Sequence, residues 1–189
     1  LANDTLDLIG GEIDVALRSG PPSHVPPHAE VLFGEQITPV LTPWLAERTP
    51  IRHPRDLARF TLIDVSDAHR FYYGWQRWSE AVGMPPVQPK RWLAFNLSFQ
   101  MMQAARAGQG VALARVPLID LSLASGELVE ALPGHRVSSP RTYWLLVSPR
   151  SAHRPEVKAF ADWLREQATQ TAAVLAAGQV FGALPGKPA

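Results

Sequence analysis

The chain has 189 residues, of which 46% are hydrophobic and 19% are charged, a composition typical of a globular protein with a sizeable core. Its formal net charge of +1, without a dense lysine or arginine stripe, argues against nucleic-acid binding by this piece alone. The lack of cysteine excludes disulfides, cysteine-ligated metals and thiol catalysis. The first residues lack the pattern of a secretory signal, and no apolar run approaches the roughly 20 residues of a membrane span.

The first part of the chain predicts short extended segments separated by turns. Residues Leu6 to Gly11 are typical of a helix end closed by glycine, and a buried strand is predicted from Ile13 to Leu17. The proline-rich "PPSHVPPH" predicts a surface connection. The segment "AEVLFGEQITPVLTP" predicts one or two extended segments that end at Pro43.

Predicted strands and helices alternate through the middle of the chain. "TLID" and "RWLAF" are typical of strands, whereas "RFYYGWQRWSEAVG" predicts a helix that ends at Gly83. The helix places Phe71, Trp75, Trp78 and Val82 on one face, which indicates a core role for both tryptophans.

The segment "FNLSFQMMQAARAGQGVALARVPLI" predicts a helix followed by the strand "VALA". Asn96 or Ser98 suits the N-cap of the helix, and Gly108 or Gly110 suits its end. A phosphate-binding loop needs its glycines after a strand and before a helix. Here the glycines close a helix and lead into a strand, so they are interpreted as structural.

The last part of the chain predicts a short helix in "PLIDLSLASG", a final strand in "TYWLLV" and a final helix in "RPEVKAFADWLRE". Val157, Phe160, Ala161 and Leu164 are predicted to share the buried face of that helix. The residues after Gln167 are predicted to be peripheral or disordered, and their middle is also compatible with a short helix. The alternation of elements indicates an α/β fold with a mainly parallel sheet.

Polar side chains follow several predicted strands at their carboxyl ends. Arg18 and Arg115 each follow a buried strand, where a cation can meet an anionic ligand; a solvated or salt-bridged arginine is the equal alternative. Asn96 and Ser98 lie between a strand and a helix, where they can cap the helix, contact a ligand, or do both. Tyr143 begins the last predicted strand, and its hydroxyl can reach a cleft.

Two further groups of residues are weighed as sites and set aside. His24 and His28 have the spacing of helical metal ligands, but the prolines between them prevent a shared helical face. Ser66, Asp67 and His69 supply the residue types of a hydrolytic triad, but neighbours in sequence rarely have triad geometry and no G-x-S-x-G motif is present. No catalytic residue, metal or cofactor is therefore predicted.

The ordered set of segments resembles the effector-binding domain of LysR-type transcriptional regulators. The resemblance runs from Leu1 to Gln167 in family order. It rests on "LDLIGGEIDVALRSG", "AEVLFGEQITPVLTP", "DLARFTLID", "WQRWSEAVG", "FNLSFQMMQAARAGQGVALARVPLI", "GELVEALPG" and "TYWLLVSPRSAHRPEVKAFADWLREQ". "DVALRSG", the paired tryptophans and "YWLLVSP" are most similar to the subgroup that contains the glycine-cleavage activator and the β-lactamase regulator.

The resemblance implies an α/β fold of two Rossmann-like lobes of the periplasmic-binding-protein type, joined by two crossover strands. The first lobe would comprise residues 1–42 and 128–167, the second residues 43–127, and residues 168–189 would form a flexible tail. The sequence lacks the family's winged helix-turn-helix and linker helix. It also lacks the first strand, first helix and second strand of the first lobe, so that lobe is expected to be incomplete.

The resemblance also implies a small-molecule effector in the cleft between the lobes. The residues carried over by position are Arg18, Ser19 and Tyr143 in the first lobe, and Ser66, Asn96, Ser98 and Arg115 in the second. Helix N-terminal N–H groups and the two arginines favour an anionic effector. Promoter DNA would be bound only through the absent N-terminal winged helix-turn-helix, in a cytoplasmic homodimer or tetramer without a membrane partner.

Two other classes of function stay open at this point. A periplasmic-type solute-binding protein would have a similar fold, and it predicts a signal peptide upstream instead of a DNA-binding domain. A small α/β enzyme would require Ser66, Asp67 and His69 to converge in space.

Overall fold

The structure is a computed structural model that describes residues 13–65, 74–178 and 180–183. The predicted helix end at residues 6–11 and the triad-like residues 66–69 lie outside the described residues. The strands are β1 (Val15–Gly20), β2 (Glu30–Leu41), β3 (Thr61–Val65), β4 (Arg91–Phe95), β5 (Val111–Arg115), β6 (Val129–Glu130), β7 (Arg136–Val147) and β8 (Val180–Ala183). The α-helices are α1 (Pro43–Arg48), α2 (Trp75–Ala81), α3 (Ser98–Arg106), α4 (Asp120–Ala124) and α5 (Pro155–Ala177).

The chain divides into two compact units. The first contains residues 1–34 and 141–173, and the second contains residues 35–140 and 174–189. The boundaries fall inside β2, β7 and α5, so each of these elements contributes residues to both units. The sequence predicts lobe boundaries near residues 42 and 128 instead.

The first unit is built on an antiparallel pair between β1 and the second half of β7. The register runs without interruption from Val15 opposite Val147 to Gly20 opposite Thr142. One face of this pair packs Leu145 against α5, and the other face buries Trp144. This pair fixes where the residues at the end of β1 are placed.

Helix α5 buries Val157, Ala161, Leu164 and Ala168, whose spacing of three and four residues forms one apolar stripe. The prediction that Phe160 shares this face is wrong, because its side chain is 49% exposed. Phe160 instead stacks on the exposed ring of Trp163, with ring centroids 5.8 Å apart.

Helix α5 also continues to Ala177, where the sequence predicts a peripheral tail, and the short strand β8 follows it. "TYWLLV" is therefore not the last strand. The extension "ATQTAAVLAA" is rich in alanine, which has the highest helix propensity. Its Leu175 is buried, so packing in the second unit adds to that propensity.

The second unit contains three adjacent parallel strands, in the order β5, β3, β4. Strand β2 pairs antiparallel with β5 and β6, and β8 pairs parallel with β7. The fold is therefore α/β, as predicted, but its strand pairing is mixed and not mainly parallel.

Two helices cover opposite faces of the parallel strands. Trp75 and Trp78 of α2 are buried, which confirms their predicted core role, and their rings meet edge to face at 5.9 Å. The indole N–H of Trp75 donates to the carbonyl of Ile63 at 3.0 Å. On the other face, α3 packs its buried Met101 and Ala105 against β3 and β5.

Local chemistry explains where α3 ends and why glycine follows. Gly108 has a φ of +70°, a conformation that glycine adopts without strain, so it closes the helix as predicted. A side chain at Gly110 would overlap the carbonyl oxygen of Thr61, so this position requires the close backbone approach that only glycine permits. Both glycines are structural.

Helix α1 was not predicted, although its signal is present in "TPWLAE". The Thr42 hydroxyl accepts a hydrogen bond from the Leu45 N–H, and Pro43 occupies the first helical position. Among the described residues, no helix combines the length and apolar character needed to cross a bilayer.

Candidate functional site

Ser19 and Tyr143 lie directly opposite each other where β1 ends in the first unit. Residues opposite each other in an antiparallel pair share one face of the sheet, so the two predicted site residues are brought together. Arg18 lies opposite Trp144, on the other face. The strand pair thus separates Arg18 from Ser19 and Tyr143.

Arg141 is a cation on the Ser19 face, and its role there was not predicted from the sequence. Its Nη2 donates to the Ser19 carbonyl at 2.7 Å, and its Nε donates to the Ser19 hydroxyl at 3.3 Å. Arg141 precedes Tyr143 by two residues on β7, so strand alternation alone places both on one face. That spacing is the signal that could have identified it.

Aromatic side chains hold the surroundings of Ser19 in place. The Phe33 ring stacks on Tyr143 with centroids 4.8 Å apart and an interplanar angle of 30°. The Trp144 indole N–H donates to the Gly20 carbonyl at 3.0 Å. Side chains of β7 thus bind the last two carbonyls of β1, those of Ser19 and Gly20.

In the second unit, the carboxyl ends of β3, β4 and β5 lie at one edge because the strands are parallel. Phe95 pairs with Val65, so Asn96 is the first residue beyond that edge on β4. Asn96 is exposed and Ser98 is half-buried. Their positions follow from the parallel register.

The predicted N-cap of α3 is wrong. Leu97 occupies the N-cap position in an extended conformation and has no capping side chain, whereas Ser98 is the first helical residue. Apolar Leu97 and Phe99 alternate with the polar residues here, with 59% and 68% of their surfaces exposed. The first N–H groups of the helix are therefore not used by an N-cap side chain.

Arg115 ends β5 and forms an ion pair with Glu35. Its Nε lies 3.6 Å from Glu35 Oε2, a separation longer than a hydrogen bond. The Glu35 side chain has no exposed surface, whereas that of Arg115 is 21% exposed. The salt-bridged alternative for Arg115 is thus what the structure contains, and its positive charge is balanced by a buried carboxylate.

The strand pairings bring the predicted site residues together in two groups, one within each unit. Ser19 and Tyr143 form a cross-strand pair in the first unit. Asn96 and Arg115 lie at the same strand edge of the second unit with β3 between them, which corresponds to about 10 Å. Ser66 lies outside the described residues.

A cavity of about 810 Å³ lies elsewhere in the second unit. Its walls come from α2, from the loop at residues 86–88 and from the adjoining face of β3 and β4. Asp64, Arg77 and Trp92 are among the described lining residues, and none of the predicted site residues is.

The titratable groups with shifted pKa values belong to surface caps and ion pairs. The Glu156 carboxylate accepts hydrogen bonds from its own backbone N–H and from Arg154, and both lower its pKa. The hydrogen bond to Glu30 raises the pKa of Arg165. Across the described ranges, no group of three histidine, aspartate or glutamate side chains is arranged to hold a metal ion.

The family model described as "LysR substrate binding domain" matches residues 2–169. The HTH-type transcriptional activator AmpR of Enterobacter cloacae is 31% identical over 166 residues, 87% of this chain and 54% of that protein. The glycine cleavage system transcriptional activator of Escherichia coli K12 is 29% identical over 163 residues, 86% of this chain and 52% of that protein. The chain therefore spans about half the length of these relatives.

Solved structures show the same similarity. The effector domain of the transcriptional regulator AmpR of Pseudomonas aeruginosa superposes with a TM-score of 0.70 at 28% identity, over 93% of this chain and 82% of that one. The AmpR effector-binding domain of Citrobacter freundii gives a TM-score of 0.65 at 25% identity, over 89% and 81% of the two chains.

Proposed function

Because the chain belongs to the LysR substrate-binding domain family, we propose that it is the effector-sensing part of a DNA-binding transcription regulator. The family match across residues 2–169 is the observation that carries this proposal. The relatives are named as transcription activators, which favours a regulator over a periplasmic-type solute-binding protein. In this role the chain binds and signals without performing chemistry.

The proposed effector is a small anion that contacts the polar residues where strands end. In the first unit these residues are Ser19 and Tyr143, with Arg141 as the cation on the same face. Arg18 is not retained in this group, because strand alternation directs it to the opposite face.

The proposed contacts of the second unit are Asn96, Ser98 and Arg115. They are supported by their shared strand edge and by the first N–H groups of α3, which favour a negative charge. The ion pair with Glu35 limits how much net positive charge Arg115 offers. The N–H groups and hydroxyls are therefore the main donors proposed here.

Signalling requires that the effector bind two arrangements of the protein with different affinity. That difference then biases the DNA-binding parts, which would lie outside this sequence, and the coupling is reciprocal. The proposal includes binding of promoter DNA by a homodimer or tetramer. It also includes a cytoplasmic location, because the regulator must reach the chromosome.

Calorimetric titration of the full-length protein tests the proposed ligand class. The panel comprises amino acids, simple carboxylates and muropeptides, each anion paired with its neutral amide. We expect at least one anion to bind and its amide to bind more weakly. Binding of neutral compounds alone would overturn the proposal of an anionic effector. Ser98→Ala should weaken binding of the anion, whereas Ser125→Ala, at the C-cap of α4, is the matched control.

A further inference from the structure

Arg141 makes two hydrogen bonds to the same residue, and their chemistry fixes the role of that residue. Nη2 donates to the Ser19 carbonyl at 2.7 Å, and Nε donates to the Ser19 Oγ at 3.3 Å. A guanidinium has only donors, whereas a hydroxyl has one donor and can also accept. Ser19 Oγ is therefore an acceptor in this contact.

The hydrogen atom of the Ser19 hydroxyl is not used by Arg141. Among the described residues, no second hydrogen bond involves Ser19 Oγ. A half-buried hydroxyl that already accepts from a cation is polarised and can still donate to a further group. Its O–H group can therefore donate to an acceptor partner. The second lone pair of the oxygen can also accept, but the positive charge of Arg141 disfavours a cationic donor there.

The backbone of Ser19 is also held in place. Its carbonyl is bound by Arg141, and the next carbonyl, of Gly20, is bound by the indole N–H of Trp144. Opposite Ser19, the ring of Tyr143 stacks on Phe33. The hydroxyl of Ser19 is thus presented from a strand end whose geometry is set by side chains of β7.

We infer that Arg141 is a positioning residue that fixes Ser19 as a hydrogen-bond donor, so that the effector group bound there is an acceptor oxygen, such as a carboxylate oxygen. This inference rests on the proposed function, because it assigns the chemistry of one contact of that site. It predicts that an ammonium group is disfavoured at Ser19, since a cation near Arg141 is repelled and has no acceptor to offer.

Two probes of similar size and opposite charge test this assignment on the full-length protein. Propionate carries acceptor oxygens, and propylammonium carries donors. Apparent affinity is measured from the rise in melting temperature at constant ionic strength. Wild type should bind propionate in preference to propylammonium. Ser19→Ala should lower the affinity for propionate about tenfold, the effect of one hydrogen bond to a charged group. Ser19→Thr should restore that affinity because it keeps the hydroxyl.

A double-mutant cycle separates positioning from direct contact. If Arg141 acts through Ser19, Arg141→Met should cost less affinity in the Ser19→Ala background than in wild type. Additive losses, or a loss on Arg141→Met with none on Ser19→Ala, would overturn the inference. The two Ser19 variants keep the carbonyl contact with Arg141, so they decide the question even if Arg141→Met does not fold. Ser23→Ala, on the following surface turn, is the matched control.

The outcomes also separate this inference from the proposed function. Binding of propionate that is equal in wild type and Ser19→Ala would overturn the role of Ser19 alone. Preference for propylammonium in wild type would overturn the acceptor assignment. Failure of propionate and of every anion in the calorimetric panel to bind would overturn both the anionic effector and this inference.

Discussion

Arg136 and Glu130 form a nearly buried ion pair, with Nη2 and Oε1 2.6 Å apart. Thr38 donates to the other carboxylate oxygen at 2.9 Å, which completes the pairing of Glu130. Arg136 Nη1 lies 3.5 Å from the carbonyl of Val174, in the last turns of α5. A cation at a helix C-terminus is favoured by the helix dipole. The ion pair therefore stabilises the packing of the C-terminal end of α5 in the second unit.

Removing the cation of this pair should destabilise the protein strongly. Arg136→Met leaves a carboxylate in a poorly hydrated site, which costs about 3–5 kcal/mol of the free energy of unfolding. Arg165→Met is the matched control. Arg165 Nη2 lies 2.8 Å from Glu30 Oε2, but both side chains are about half exposed. The control variant should lose at most about 1 kcal/mol of the free energy of unfolding. Equal losses in urea denaturation would contradict the assignment of a buried network.

The two tryptophans that differ most in burial provide a second test. Trp78 has no exposed surface, whereas Trp44 is 57% exposed and lies 5.0 Å from the Arg48 guanidinium. Trp78→Ala should cost about 3–5 kcal/mol, because it leaves a cavity in the core of the second unit. Trp44→Ala should cost less than about 1 kcal/mol. Chemical denaturation measures both, and a reversed order would refute the described packing of α2.

A third prediction concerns Gly110, the second glycine after α3. Gly110→Ala introduces a methyl group against the Thr61 carbonyl, so β3 and β5 must move apart. We expect a loss of about 1–3 kcal/mol, as for overpacked cores. At Gly34, in β2, an added methyl meets no atom within 4 Å. Gly34→Ala should therefore be neutral or slightly stabilising, and thermal unfolding of the two variants distinguishes these outcomes.

Much of this packing could be predicted because its signals are local. The apolar spacing in α2 identified Trp75 and Trp78 as core, and the glycine after α3 marked the end of that helix. The face of α5 was misassigned at Phe160 because either of two neighbouring stripes fits the sequence. Only the tertiary contacts of Ala161 and Leu164 select the stripe that is buried.

The site was harder to predict because its geometry depends on pairing between distant strands. Ser19 and Tyr143 are far apart in sequence and meet only through the β1–β7 register. Strand alternation puts Arg18 on the other face, and the β1–β7 register brings Arg141 to the Ser19 face. The Glu35–Arg115 pair has the same origin, since residues Ile37 and Arg115 pair across β2 and β5.

The pH dependence of stability provides a fourth prediction, at Asp56. Its Oδ2 accepts hydrogen bonds of 2.9 Å from the backbone N–H groups of Arg52 and His53, and these bonds lower the pKa of Asp56. The stabilisation is fully present above the unfolded pKa of about 4 and is lost as the pH falls through the lowered folded pKa. Asp56→Asn should therefore lower the melting temperature at neutral pH and have little effect in strong acid.

The control for this prediction is Glu166→Gln, an exposed carboxylate on α5. It should lower the melting temperature much less at neutral pH. A deficit of Asp56→Asn that persists unchanged below the pKa of both states would mean that charge is not the cause.

The central proposal is that binding of a small anion by this chain controls DNA binding by the full-length protein. The most direct measurement is the affinity of the full-length protein for DNA selected from a random pool, with and without a saturating anion found in the calorimetric panel. Linkage predicts a 5- to 150-fold change, about 1–3 kcal/mol, and the reciprocal change in anion affinity when DNA is bound. Unchanged DNA affinity and oligomeric state at full saturation with the anion would contradict the account.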